Sequence, residues 1–305
     1  MERNLTANAS SDRLTRVYSR IENNPGTSLH INTRKSKTHG MISVRLARTK
    51  QELQEAYRIV YEQYMGAGYV KNNTKEMRFL PHFALPTSYT FIASDSNEKI
   101  IGTLTLVFDG QLGFPSEDEF PGPIKALREN GEKLAEISCL ATEKQCERMA
   151  VVVSLYRAVY AYACHLKGAT GFFISSMKKH MKFYTRHLLF DVIGDPVIYH
   201  DTNEVSVYPM ILDFRNITNR FKEKHKGDIF ARMFLEGKDF TETAEQIGDY
   251  TEEDLIVRYR FSKKALDWNT VKGEVQNVIQ EAFRKAVSWS YAKNNQEQEV
   301  MYVYC

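Results

Sequence analysis

Glycine-rich phosphate loops, paired cysteines and a run of apolar residues of signal-peptide length are all missing from this 305-residue chain. Neither GxxxxGK[ST] nor GxGxxG occurs, which removes the usual nucleotide motifs. The four cysteines, Cys139, Cys146, Cys164 and Cys305, form no CxxC pair and are too few for a disulfide scaffold, so they read as reduced thiols. The eight histidines show no HExxH or other paired spacing, and no metal is assigned. An excess of one charge is lacking too: 41 Lys and Arg stand against 38 Asp and Glu, so net charge predicts no nucleic-acid or membrane partner. No stretch approaches the roughly 18 apolar residues of a membrane span, and the first twenty residues are polar and charged. The expected location is the cytoplasm.

What is present is a 43% hydrophobic fraction in a length that allows one large domain or a domain with an accessory piece. Residues 1–40 are rich in Asn, Ser, Thr and Arg and read as a poorly ordered arm, with at most a short helix around Leu14, Val17 and Ile21. From Ile42 the pattern changes: Ile42, Val44 and Leu46 alternate with polar residues as a half-buried strand does. Leu53, Ala56, Tyr57, Val60 and Tyr64 then recur at helical spacing up to Gly66 and Gly68. Two strands at residues 89–93 and 99–108 flank the hairpin turn Ser94-Asp95-Ser96-Asn97. A short helix at residues 124–129 leads to a strand at 133–142. A longer helix follows, with Met149, Val152, Val153, Tyr156, Val159, Tyr160 and Ala163 on one face and Gly168 closing it. A strand at 171–176, a helix at 178–188 and a hairpin of 192–199 with 205–212 complete the series. This order predicts an α+β core with a mixed sheet over residues 41–215. Residues 216–305 read as a helical extension, with runs near 228–235 and 272–287, forming either an appended subdomain or a cap.

Within the strand Leu-Ala-Glu-Ile-Ser-Cys-Leu-Ala-Thr, Glu136 is the one carboxylate among apolar neighbours. A lone strand glutamate ordinarily faces water. Partly buried, it becomes a base with a raised pKa that takes a proton from an amine directly or through a water. In the helix at 178–188, Phe183 and Tyr184 are adjacent, roughly 100° apart, and so cannot both face one core. That frees the Tyr184 hydroxyl to sit at a cleft and protonate a leaving thiolate. The same helix carries Lys178, Lys179 and Lys182 with no acidic residue, and Lys144 and Arg148 occupy the preceding strand-to-helix loop. A run of one sign is ordinarily a solvated face; beside Tyr184 it suits an acidic partner such as an acyl carrier protein, or coenzyme A phosphates. Cys139 reads as a buried, inert thiol.

The element order, with Arg58-Ile59-Val60-Tyr61-Glu62, Ala135-Glu136-Ile137-Ser138-Cys139-Leu140-Ala141 and Phe183-Tyr184, resembles the GNAT superfamily, and within it the N-acyl amino acid synthases and the related acyl-homoserine-lactone synthases. The resemblance covers residues 42–214. It implies two strands that splay apart to admit a pantetheine arm, pairing it as an added strand would be paired. Ile137, Ser138, Cys139, Leu140 and Ala141 would then bind the acyl donor with Ser175 opposite, Glu136 would deprotonate the amine, Tyr184 would protonate the thiol, and Arg58 would meet the substrate. It also implies an N-acyltransferase with no tightly bound cofactor, whose co-substrate is an acyl carrier protein thioester or acyl-coenzyme A and whose acceptor is a small-molecule amine or amino acid. Glu143-Lys144-Gln145-Cys146-Glu147-Arg148-Met149-Ala150 stands where acetyl-coenzyme A enzymes carry their glycine-rich pyrophosphate loop, and it holds no glycine. That departure favours acyl carrier protein with long acyl chains. The lactone synthases' acidic pair after the first helix has no counterpart between Asn72 and Pro86, where only Glu76 is acidic, so signal synthesis is the second choice. Two readings from other classes stay open: a non-catalytic acyl-thioester-binding protein, and a core delivered to partners by residues 219–305.

Overall fold

The computed structural model describes residues 29–36, 40–146, 148–199, 202–215, 217–224, 235 and 239–287. The helix expected around Leu14 and, but for Leu235, the one expected near 228–235 lie outside them.

One nine-stranded sheet runs in the order β1-β2-β3-β4-β5-β6-β9-β7, with β8 also on β9. Its strands are β1 (Leu29–Ser36), β2 (Gly40–Leu46), β3 (Ser88–Ser94), β4 (Ile100–Phe108), β5 (Leu134–Thr142), β6 (Gly171–Met177), β7 (Asp191–Val192), β8 (Val197–Tyr199) and β9 (Val205–Asp213). Every pairing is antiparallel except β5 with β6. β1 corrects the expectation for the arm, because residues 29–36 add an edge strand to β2.

The middle strands are buried on both faces, and alternation decides which layer each residue meets. Phe91, Leu104, Leu106, Ala135 and Ile137 face helix α3 (Arg148–Ala161), whereas Ile92 and Val107 face α1 (Lys50–Gly66). Helix α1 starts at a capping box: the Thr49 hydroxyl accepts from the Glu52 N–H at 3.2 Å, and the Glu52 carboxylate accepts from the Thr49 N–H at 3.0 Å. Its stripe of Leu53, Ala56, Tyr57 and Val60 is buried as the spacing predicts.

Helix α3 differs from expectation. It is buried on nearly all sides, including Val151, Leu155 and Ala158, while Met149, expected on the inner face, is 43% exposed. Sandwiched between the sheet and α6 (Phe240–Ile247), it needs no polar face. With its π-helical continuation Tyr162–Leu166 it forms the helix Arg148–Leu166, which is long and apolar enough to cross a membrane; 72% of its apolar 18-residue stretch is buried inside the fold. This corrects the expectation that no stretch approaches that length.

Helix α2 (Pro121–Glu129) precedes β5, α4 (Lys178–His187) follows β6, and α5 (Ile217–Lys224) follows β9. Beyond them, α7 (Glu252–Ala265) and α8 (Gly273–Ala286) rest on the core. Phe261 stacks 6.0 Å from the Tyr57 ring, and buried Arg258 donates to the carbonyls of Phe83 and Ser88 at 3.1 and 2.7 Å. The C-terminal helices thus cover α1 and the 3-10 turn Pro81–Ala84 as a cap would.

Candidate active site

β5 and β6 begin as partners and then part. Leu134, Ala135 and Glu136 pair with Gly171, Phe172 and Phe173, and no pairing between these strands follows among the described residues. Each keeps its other neighbour: β5 stays with β4 to Thr142, and β6 stays with β9 to Met177. The gap therefore lies between two intact half-sheets. A bulge bends β5 where it parts, with Thr103 opposite Ala141 but Thr105 opposite Ser138, so that two residues of β5 answer one of β4. Within it Cys139 holds φ +54°, a left-handed conformation that costs a side-chain-bearing residue free energy and appears where a site needs it. The bulge also reverses the alternation: Ala135 and Ile137 face α3, but Cys139 and Ala141 face α1.

The gap opens into a cavity of about 630 Å³. Its walls are the last turns of α1, all of β5 from Glu136 onward, the first turns of α3, residues 174–177 of β6, one side of α4, and the β8–β9 hairpin.

At its inner end Glu136 is 3% exposed. Its Oε2 accepts from the Ser116 N–H at 3.1 Å and the Ser116 hydroxyl at 2.7 Å. Loss of hydration at this site disfavours the charged form and lifts the carboxyl to about 8; the two Ser116 bonds pull the other way without matching it. A carboxyl poised there accepts or returns a proton near neutral pH.

On the facing wall, Tyr184 lines the cavity from α4, half-buried, and its phenol is pushed up by burial while the neighbouring Tyr156 hydroxyl pulls it down. It stays protonated at neutral pH and can donate. Phe183 corrects one expectation: its ring meets Tyr184 edge-on at 5.5 Å, and both rings line the cavity and pack against the same core. Neither side chain is fully buried, since no residue of α4 is.

Of the other expected residues, Ile137, Ser138, Cys139, Leu140, Ala141 and Ser175 line the cavity, together with Arg148 and Lys179. Lys144, Lys178 and Lys182 are exposed and lie outside the lining. Arg58 is the correction. It sits outside the cavity, paired with Glu55, Glu62 and Glu143, and these carboxylates hold its charge.

Three lining or supporting residues were missed. Ser116 lies in the Gly/Pro-rich connection, where only its place between Pro115 and a run of acids marks it. Tyr64 reads as an ordinary core residue of α1, yet it lines the cavity. Arg78, flanked by Met77 and Phe79, lines it as well and is only 9% exposed.

The sequence profile of the N-acyl amino acid synthase FeeM matches residues 55–213, more than half of the chain. The solved structure of FeeM, an N-acyl amino acid synthase from uncultured soil microbes, is 26% identical, covers 61% of this chain and 96% of its own, and superposes with a TM-score of 0.53. The acyl-homoserine-lactone synthase LasI is 14% identical over 56% of this chain and 89% of its own, with a TM-score of 0.42. A mutant of the spermidine N-acetyltransferase SpeG from Vibrio cholerae is 12% identical over 59% of this chain and 97% of its own, with a TM-score of 0.40. No curated protein matches the chain. With its mixed, mostly antiparallel α+β sheet of the GNAT kind, the chain belongs to the N-acyl amino acid synthase family and is an N-acyltransferase.

Proposed function

We propose that this enzyme transfers a long-chain acyl group from the phosphopantetheine thioester of an acyl carrier protein to the α-amine of an amino acid, with Glu136 as base and Tyr184 as acid. One observation carries the reading: β5 and β6 part immediately beyond a buried carboxylate, into a cavity that an extended arm can fill. The arm pairs with the strand edges that the parting leaves, as a peptide adds to a sheet edge.

The neutral amine attacks the thioester carbonyl, the C–N bond forms, and the oxyanion is met by backbone amides at the β5 bulge. Glu136 lies three residues before Cys139, about 10 Å along a strand, so the amine proton reaches its carboxylate through water. The C–S bond then breaks, and the thiolate takes the Tyr184 proton. Solvent returns a proton to Tyr184 and removes one from Glu136. No covalent acyl-enzyme forms, and much of the acceleration comes from positioning.

Two features favour a carrier protein over coenzyme A. The segment before α3 has no glycine to wrap a pyrophosphate, and Lys144, Arg148, Lys178, Lys179 and Lys182 are all exposed on elements bordering the cavity. Purified enzyme given one amino acid and either donor, with products read by mass spectrometry, tests this. The expected result is an N-acyl amino acid formed with higher kcat/KM from the carrier protein; equal or better use of acyl-coenzyme A would reject that donor, and absence of any N-acyl product would reject the reaction.

A further inference from the structure

The hydrogen bonds that Glu136 accepts both come from Ser116, so whatever fixes Ser116 fixes the base. One of them comes from the Ser116 N–H, which shares a peptide unit with the Pro115 carbonyl. On the other side of that unit the Tyr199 hydroxyl donates to the Pro115 carbonyl at 3.2 Å. Resting on Glu136 as the base of the acyl-transfer reading above, we propose that Tyr199 is a positioning residue: acting through the Pro115–Ser116 peptide, it sets how firmly the carboxylate is held.

The peptide unit is planar and trans, so its C=O and N–H point in opposite directions. A donor on the carbonyl and an acceptor on the N–H therefore pull along one line, each polarising the unit in the other's favour. Turning the plane would weaken the N–H bond to Glu136, and the Tyr199 bond resists that turn. The next peptide is tied separately, because the Ser116 carbonyl accepts from the Phe120 N–H at 3.1 Å at the start of α2. Tyr199 is itself well seated. It ends β8, pairs with Val205 of β9, is 8% exposed and shares one apolar cluster with Phe114 and Phe173. Phe173 in turn stands opposite Glu136 at the last pairing of β5 with β6. The chain of bonds thus runs from a hairpin of the β6 half-sheet to the carboxylate on β5, at the point where the strands part. Charges act on Glu136 as well: Glu119 and Glu117 disfavour its ionised form, and Glu117 is held by Arg128 and lies near His82.

Tyr199→Phe keeps the ring and all of these charges while deleting the hydroxyl. In the full chain, the Glu136 carboxyl is followed by NMR of isotope-labelled glutamate, its signal being the one absent from Glu136→Gln. Its titration midpoint, about 8 in the wild type, should rise by about half a unit, a modest effect because the 3.2 Å bond is the longest of the chain. kcat/KM should fall roughly threefold at neutral pH and return to within about 1.5-fold well above the midpoint, since half a unit is about a threefold change in ionised fraction. The same shift should add to that of Ser116→Ala, because alanine keeps the N–H. A loss spread evenly over all pH values with the titration unmoved would mean that Tyr199 only packs, and an unmoved titration with unchanged activity would mean that it does nothing for the base. Either overturns the proposal, as does a shift that vanishes in Ser116→Ala, which would route the effect through the hydroxyl. If the wild type forms no N-acyl product, the acyl-transfer reading fails alone: the titration needs no turnover, and it still upholds or sinks the hold of Tyr199 on Glu136.

Discussion

The two ends of β5 face different surroundings within one strand. Over residues 135–136 the strand has a paired neighbour on each side, and the carboxylate there is shut from water and lifted to about 8. Over residues 138–142 the β6 side is open, a bulge has turned the backbone, and the strand lines a cavity of about 630 Å³. Burial sets the proton affinity of the base, and parting sets access for the arm. A fully paired strand would lack the second, and a fully open one would lose the first, because a solvated glutamate returns to its ordinary range.

The largest effect that breaks this division is Glu136→Gln. The sign follows from the raised carboxyl: below about pH 8 it is neutral and accepts nothing, and above it the carboxylate accepts a proton, so wild-type kcat/KM should climb through that region. Glu136→Gln should lose that limb and roughly 10²- to 10⁴-fold in rate, keeping only the rise from deprotonation of the substrate amine. An unchanged profile would remove Glu136 from the chemistry. Tyr184→Phe should cost roughly 10²-fold with a poor thiol leaving group and less with an activated thioester; equal losses with both would make Tyr184 a packing residue. Ser116→Ala sharpens the picture at the closed end. Removing the hydroxyl's 2.7 Å bond deprives the charged form of a donor, so the pH limb should move upward by about one unit while the maximum rate is largely retained.

How much of this was legible in sequence follows from which forces are local. Alternation and helical spacing are local, and they located β3, β4, β5, α1 and α4 within a residue or two. Glu136 stood out because a charge amid apolar strand residues contradicts its surroundings, and Tyr184 because it borders a helix end. The bulge at Cys139 left no mark, since nothing in Ser-Cys-Leu announces a left-handed φ. Ser116 and Arg78 sit in aperiodic connections, where burial is decided by distant packing partners: Glu136 for the first, Tyr57 and Tyr64 for the second. Arg58 misled for the converse reason. A cation in a matching segment invites a role, yet the carboxylates one helical turn away already hold it.

Smaller effects probe the hinge between the two ends. A methyl group at Gly171 would lie 2.8 Å from the Leu212 carbonyl oxygen, so Gly171→Ala should push β6 from β9 at the base of the gap and cost about 1–3 kcal/mol in denaturant unfolding. No loss would show that the junction has slack. Arg58→Ala should be least: under about 1 kcal/mol in stability, with both KM values unchanged, as expected of a partly exposed ion-pair cluster.

Amide hydrogen exchange with a non-hydrolysable acyl-pantetheine bound tests the central claim most directly. The account predicts new protection in residues 138–142 and 174–177, which face the gap, with residues 134–136 already protected and unaltered. Binding that leaves those two segments exchanging as in the free enzyme would contradict it.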